Sequence, residues 1–129
     1  MTGGSAADVP HLPRPALIDA YGNGGFRFDG LSHRGSLLCL PDGIWAWPVK
    51  DVSELTTAAL EQVFARAEAL DVFLIGAGRD PWPIPERLRA RFRDLAISAD
   101  AMPTGAAVST YNILLAENRR VGAALLAVD

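Results

Sequence analysis

The chain has 129 residues, half of them hydrophobic, with 12 basic and 15 acidic side chains and a net charge of −3. That balance describes one soluble globular domain and excludes a disordered chain or a strongly basic nucleic-acid binder; the single cysteine, Cys39, excludes a disulfide within the chain. No stretch approaches the roughly 18 uncharged apolar residues of a membrane span, and the first residues lack the basic start and apolar block of a signal peptide, so a reducing cytoplasm is the expected setting.

Residues 1–14 are small, polar and broken by prolines, which predicts a disordered tail ahead of a single domain over 15–129. Ala16 to Tyr21 reads as a strand, followed by the turn signal Gly22-Asn23-Gly24-Gly25 and the alternating strand Phe26-Arg27-Phe28. His33 falls in a predicted loop. Ser36 to Leu40 and Ile44 to Trp47 flank Pro41-Asp42-Gly43 and form the clearest hairpin signal in the chain. After Pro48 the period changes: Asp51 reads as an N-cap with Glu54 three places on, and Leu60, Val63, Phe64, Ala67 and Leu70 form one helical stripe. Val72 to Ile75 is a continuous apolar run suited to a central strand. A helix is predicted from Pro85 to about Leu95, a short strand over Ile97 to Ala101, a third helix from Thr104, as N-cap, to Glu117, and a last strand over Val121 to Val128. Strands first, then alternating helix and strand, give an α/β or α+β layered domain with about three helices.

The run Val72 to Pro85, VFLIGAGRDPWPIP, resembles the strand-to-phosphate turn of nucleotide folds. A dinucleotide fingerprint needs a third glycine and a helix opening directly onto the pyrophosphate. Here Gly76 and Gly78 are followed by Pro81, Pro83 and Pro85, which delay the helix by about seven residues, and no Gly-Lys-Ser or Gly-Lys-Thr follows. The plainer role for the glycines is a tight turn off a central strand. A shallow anion or small-molecule site remains as an alternative, with Arg79 supplying charge, Thr104 at a helix N-terminus, and Thr110, Tyr111 and Asn112 facing the loop. His11 and His33 have no ligand at metal spacing, and Cys39, between Leu38 and Leu40 on a strand, reads as a small buried hydrophobe and not a nucleophile.

Two surfaces suit a protein partner. Arg87, Arg89, Arg91 and Arg93 crowd one short helix, with 87/91 and 89/93 four apart; a solvated face is the ordinary outcome, and a dock for an acidic protein surface is the sharper one. Nucleic acid fits less well, because the charge is local and no aromatic platform accompanies it. Trp45 and Trp47 share one face of their strand, and with Trp82 they are candidates either for the core or for a partner or homodimer surface.

Ile18-Asp19-Ala20-Tyr21, Gly24-Gly25-Phe26-Arg27-Phe28, Gly35-Ser36, Leu40-Pro41-x-Gly43, Trp47, Leu74-Ile75-Gly76-Ala77-Gly78, Met102-Pro103-Thr104, Thr110-Tyr111-Asn112 and Arg119-Arg120-Val121-x-Ala123-Ala124-Leu125 form one ordered set. In that order and spacing the chain resembles the Mth938-like family over about residues 16 to 127. The resemblance implies a single three-layer α/β domain with a mixed β-sheet, no established catalytic residues and no settled cofactor. Mitochondrial members of the family assist the assembly of respiratory complex I. The resemblance therefore implies a non-catalytic assembly factor acting through protein contacts and reaching the inner membrane only through its partners; the histidine and cysteine spacing predicts no metal.

Overall fold

In the computed structural model, which describes residues 9–129, the turn signals near the N-terminus build a three-stranded antiparallel meander. It consists of β1 (Ala20–Gly22), β2 (Gly25–Phe28) and β3 (Leu31–Arg34). Each turn is a two-residue loop with both central residues at positive φ, Asn23-Gly24 (53° and 79°) and Asp29-Gly30 (50° and 76°). This is the twist-matched hairpin geometry that Asn-Gly and Asp-Gly favour. The strand expected over 16–21 is thus confined to its end, and His33 sits on a strand instead of in a loop.

The hairpin around Pro41-Asp42-Gly43 is present as β4 (Ser36–Leu40) and β5 (Gly43–Trp47), and the later strands are β6 (Val72–Gly76), β7 (Ser98–Met102) and β8 (Val121–Leu125). They form one sheet in the order β5-β4-β8-β6-β7, antiparallel on the β5-β4-β8 side and parallel across β8-β6-β7. The central strand is therefore β8, with β6 beside it.

Side chains alternate across this sheet and feed two separate cores. Leu38, Leu40, Trp45, Trp47, Phe73 and Ile75 point to one face, and Leu37, Cys39, Ile44, Leu74, Ala123 and Leu125 to the other. The first face is covered by α2 (Glu86–Asp94) through Leu88 and Phe92, and by the segment 52–69. The second is covered by α3 (Thr104–Ala116) through Ala107, Val108 and Tyr111, with Phe26 and Phe28 of the meander beside it. The result is a mixed sheet between two covering layers, the α/β architecture expected from the sequence.

The long helix expected from Asp51 to Leu70 is broken into 3-10 turns at Val52–Glu54, Ala58–Leu60 and Ala67–Ala69 around a single α-turn, α1 (Glu61–Phe64). Asp51 and Glu54 do form the expected capping box, but around the first 3-10 turn only. The break follows at Thr56-Thr57, where the Thr56 hydroxyl accepts the Ala59 N–H at 3.2 Å and restarts the chain. The apolar stripe still reaches the core: Leu60, Val63, Phe64 and Leu70 are buried.

The N-terminal segment is docked from Leu12 onward, ahead of the boundary expected at residue 15, whereas residues 1–8 of the expected tail lie outside the described residues. Leu12 is 8% exposed and bridges Ile44 on the edge strand β5, with Ile44 N donating to Leu12 O at 2.9 Å. Arg14 pairs with Asp29, and the His11 ring lies 4.6 Å from that of His33, whose Nε2 donates to Ser36 O at 3.1 Å. Burial, reinforced by the neighbouring His11, holds His33 below the ordinary histidine value of 6.5 despite the bond to Ser36.

A depressed histidine means that the folded chain binds fewer protons than the unfolded one, so this contribution is present at neutral pH and is lost on acidification. The Ile44 amide should lose hydrogen-exchange protection as the pH falls from about 7.5 to about 5.5, through the ordinary histidine range. A His33→Phe variant should flatten that dependence; an unchanged profile would remove His33 from the docking of this segment.

Candidate functional site

In a chain that crosses from β6 through α2 to β7 on one side, and back through α3 to β8 on the other, the carboxyl end of β6 is the topological switch point. Open α/β sheets commonly bind ligands there. The loop Ala77–Asp80, the start of α3 and the exit of β8 meet at this point. Gly76 closes β6 where a Cβ would lie 3.1 Å from Thr104 Cα and 3.2 Å from Ala107 Cβ, so its absence of a side chain lets α3 approach the sheet. Gly78, at φ 91°, turns the chain away.

Thr104 is the first residue of α3 and not its cap; Pro103 holds the cap position. The Thr104 side chain is fully buried, and its hydroxyl accepts the Gly78 N–H at 3.0 Å and donates to Leu126 O at 2.8 Å. Around it, Thr104 N donates to Gly78 O at 2.9 Å, Leu126 N to Gly76 O at 2.9 Å, and Ala77 N to Met102 O at 2.8 Å. The donors that an anion between Gly78 and Thr104 would require are therefore committed to the fold.

Two shallow clefts flank this knot. One, of about 330 Å³, runs past Lys50, Asp51, Arg79, Asp80 and Trp82. The other, of about 650 Å³, lies between Tyr21, Arg79, Gly105, Ala106 and Ser109. Arg79 Nη2 is engaged by Asp129 O at 2.6 Å. Tyr21 lies over Gly105, in the place a larger residue's Cβ would take. Tyr21 is absent from the residues expected here; its position just before the glycine turn is the signal that could have found it.

The remaining residues of the expected ligand set turn elsewhere. Tyr111 is fully buried, its hydroxyl has no hydrogen-bond partner among the described residues, and burial, with Cys39 nearby, raises its pKa above the usual tyrosine value. Burial likewise pushes Cys39 up to about 12, so neither group ionises at neutral pH. Asn112 clamps the N-terminal segment, its Oδ1 accepting Ile18 N and its Nδ2 donating to Ile18 O, each at 2.8 Å. Thr110 is half-buried on α3. The crevice thus gathers Gly76, Gly78, Arg79 and Thr104 but not Thr110, Tyr111 or Asn112. No cluster of three or more histidine, cysteine or carboxylate side chains able to hold a metal occurs among the described residues.

The aromatic part of the expected partner surface is corrected. Trp45 and Trp47 share a face, as the period-two pattern requires, but they are 4% and 5% exposed because the segment 52–69 lies on them. Trp47 Nε1 donates to Ala59 O at 3.0 Å. Trp82 is half-buried against the same core. The arginine helix, by contrast, is at the surface: α2 carries four arginines against two acids, a net +2, and all four arginines are exposed. Arg93 pairs with Glu86 at 2.9 Å and Arg89 Nε donates to Ile84 O at 3.2 Å. Arg87 and Arg91 form no ion pair among the described residues.

A family described as "Protein of unknown function (DUF498/DUF598)" matches residues 18–126. The chain belongs to this family. It is 41% identical over 109 residues to an uncharacterized protein of Rhodobacter capsulatus, covering 84% of this chain and 82% of that one. It is 25% identical over 115 residues to NADH dehydrogenase (ubiquinone) 1 alpha subcomplex assembly factor 3 of Rattus norvegicus. That match covers 89% of this chain but 62% of the rat protein, so the chain spans less than two thirds of this relative. Among solved structures, an outer membrane protein from Bartonella henselae matches at 46% identity with a TM-score of 0.88, over 92% of this chain and 100% of that one. A Bordetella pertussis protein described as a Mth938-like domain matches at 28% identity with a TM-score of 0.76, over 86% of this chain and 85% of that one. The fold is that of the Mth938-like domains. No helix among the described residues is long and apolar enough to cross a membrane.

Replacing Thr104 by valine keeps its shape but strands the half-buried Gly78 N–H and the buried Leu126 C=O, which should cost on the order of 2 kcal/mol. Thr104→Ser should cost about 1 kcal/mol or less, since the hydroxyl is retained. Urea denaturation of both variants measures the difference, and a loss in the serine variant as large as or larger than that in the valine variant would mean that the hydroxyl does not dominate at this position.

Proposed function

We propose that this chain is a non-catalytic protein-interaction factor that supports assembly of respiratory complex I, with the exposed basic face of α2 as its partner surface. The observation that carries the reading is the extent of the match to assembly factor 3. It takes in 89% of this chain, so the domain described above is itself the part the two proteins share. The chemistry of the surface agrees with it. A net +2 on nine residues, in a chain of net −3, is a local field that attracts an acidic protein surface and speeds its encounter. The reading places the protein in the cytoplasm, at the membrane only through its partners.

Charge reversal tests this directly. A tagged chain isolated from the native host, with soluble and membrane fractions analysed by mass spectrometry, should recover complex I subunits or their assembly partners. Arg87→Glu combined with Arg91→Glu should lower that recovery about tenfold, the equivalent of about 1.4 kcal/mol; both side chains are exposed, and the one internal contact at stake is that of Arg91 with the Phe64 ring. Undiminished recovery with the folded double variant would move the partner surface elsewhere. A wild-type chain that recovers no complex I component would overturn the assembly reading.

A further inference from the structure

Where a continuous helix would have filled the space beside α2, the single turn of α1 and the 3-10 turn after it leave two depressions that share Phe64 and Ala65. The first, of about 420 Å³, lies between Thr57, Ala58 and Glu61 on one side and Arg91 on the other. The second, of about 610 Å³, has apolar walls from Pro41, Ala67, Ala69 and Leu95 and charged walls from Asp42, Arg66 and Glu68, whose acids keep an incoming carboxylate at the Arg91 end.

The two arginines near these depressions are in different states. Arg66 lies over the Trp45 ring at 4.8 Å and is spent on Asp42 at 2.7 Å and Gln62 O at 3.0 Å. Arg91 lies over Phe64 at 5.0 Å, but its guanidinium has no carboxylate partner among the described residues. Phe64 in turn meets Phe92 edge-on at 5.1 Å, and Phe92 stacks on Phe73 of β6 at 5.6 Å. A chain of rings thus runs from the sheet to Arg91, and the cation–π contact at its end favours one placement of the guanidinium. A planar fork fixed against an aromatic face loses little further freedom when it binds a carboxylate, and this is the form of preorganisation that favours binding. Beside it is a hollow, partly apolar-walled, with ample room for a large side chain. Glu61, across the first depression from Arg91, repels a second acid at that end and so gives an occupant one preferred direction.

We propose that the two depressions flanking Phe64 receive a protein segment that carries a carboxylate next to an apolar side chain. The carboxylate forks onto Arg91 and the apolar side chain seats against Leu95 and Ala69. This rests on the reading of the α2 side as a partner surface and names the chemistry of what binds there.

Site-directed photo-crosslinking in the native host tests it, with benzoylphenylalanine replacing Ala58 in one variant and Glu68 in another. Both positions are exposed, one beside each depression, and Ala106 on the opposite layer serves as control. The expected result is an adduct from Ala58 or Glu68, absent from Ala106. Its cross-linked peptide should hold an Asp or Glu within two residues of a large apolar side chain. Adding Arg91→Glu, in a variant that melts like its parent, should lower the yield about tenfold.

A peptide without that pairing, or a yield indifferent to Arg91→Glu, overturns the proposal. Complex I components crosslinked only from Ala106 would overturn it while sparing the assembly reading. An acid-and-apolar peptide from a protein unrelated to that complex would uphold the groove and count against the assembly reading. No adduct from either position overturns the proposal.

Discussion

Everything at the carboxyl end of the parallel strands hangs on one buried hydroxyl. Three parallel strands, β8, β6 and β7, finish side by side, and each must leave the sheet in a different direction. Thr104 joins all three exits: its hydroxyl takes the Gly78 N–H and gives to Leu126 O, while its own N–H goes to Gly78 O. Thr104 and Leu126 are buried and Gly78 is half-buried, so these bonds also pair polar groups that would otherwise stand unpaired with little water to replace them. The knot therefore fixes where α3 begins, and with it the second core.

The same geometry limits what the switch point can do. Nucleotide folds leave backbone N–H groups at a helix start free for phosphate. Here the Gly78 and Thr104 N–H groups are already bonded, and Arg79 is engaged by Asp129 O. The chain has used its glycines to bring α3 against the sheet: Gly76 admits the Thr104 backbone, and Gly122 on β8 leaves room for Leu70 and Phe73. Unspent electrostatic potential lies on α2 instead, on the far layer of the sheet.

Much of this was legible in the sequence, and what was missed has identifiable causes. The β4–β5 hairpin, the apolar run of β6 and the start of α2 after Pro85 were readable because period and turn chemistry agreed there. β3 was missed because Leu31-Ser32-His33-Arg34 has no apolar alternation; the Asp29-Gly30 dipeptide before it was the usable signal. The long helix was over-read because a helical stripe of buried residues does not require a helix. Short 3-10 turns that wrap a sheet present the same side chains inward. The tryptophans illustrate a further limit. Alternation put Trp45 and Trp47 on one face, but only tertiary structure says that residues 52–69 cover that face. At the crevice, Gly76, Gly78, Arg79 and Thr104 were found from local sequence, whereas Tyr111 and Asn112 were assigned to it because helix phase alone does not say which side of α3 meets the sheet.

That broken segment has a consequence for binding. A regular helix from Asp51 to Leu70 would have laid a smooth polar face beside α2 and left Phe64 beneath it. Interrupted at Thr56-Thr57 and again after Phe64, the segment still buries Leu60, Val63 and Leu70, so the core keeps its apolar contacts. What changes is the outside. Phe64 lies at the boundary, with Arg91 across it and a hollow on the other side. An arginine on a mobile stem gains little from a solvated carboxylate, because ordering the side chain offsets the Coulomb term. One already laid on an aromatic ring has met part of that ordering cost within the folded chain, and its guanidinium edge can donate a pair of hydrogen bonds to a carboxylate. The irregular stretch is thus the place on this layer where shape and charge coincide, and it owes both to the same two breaks in the helix.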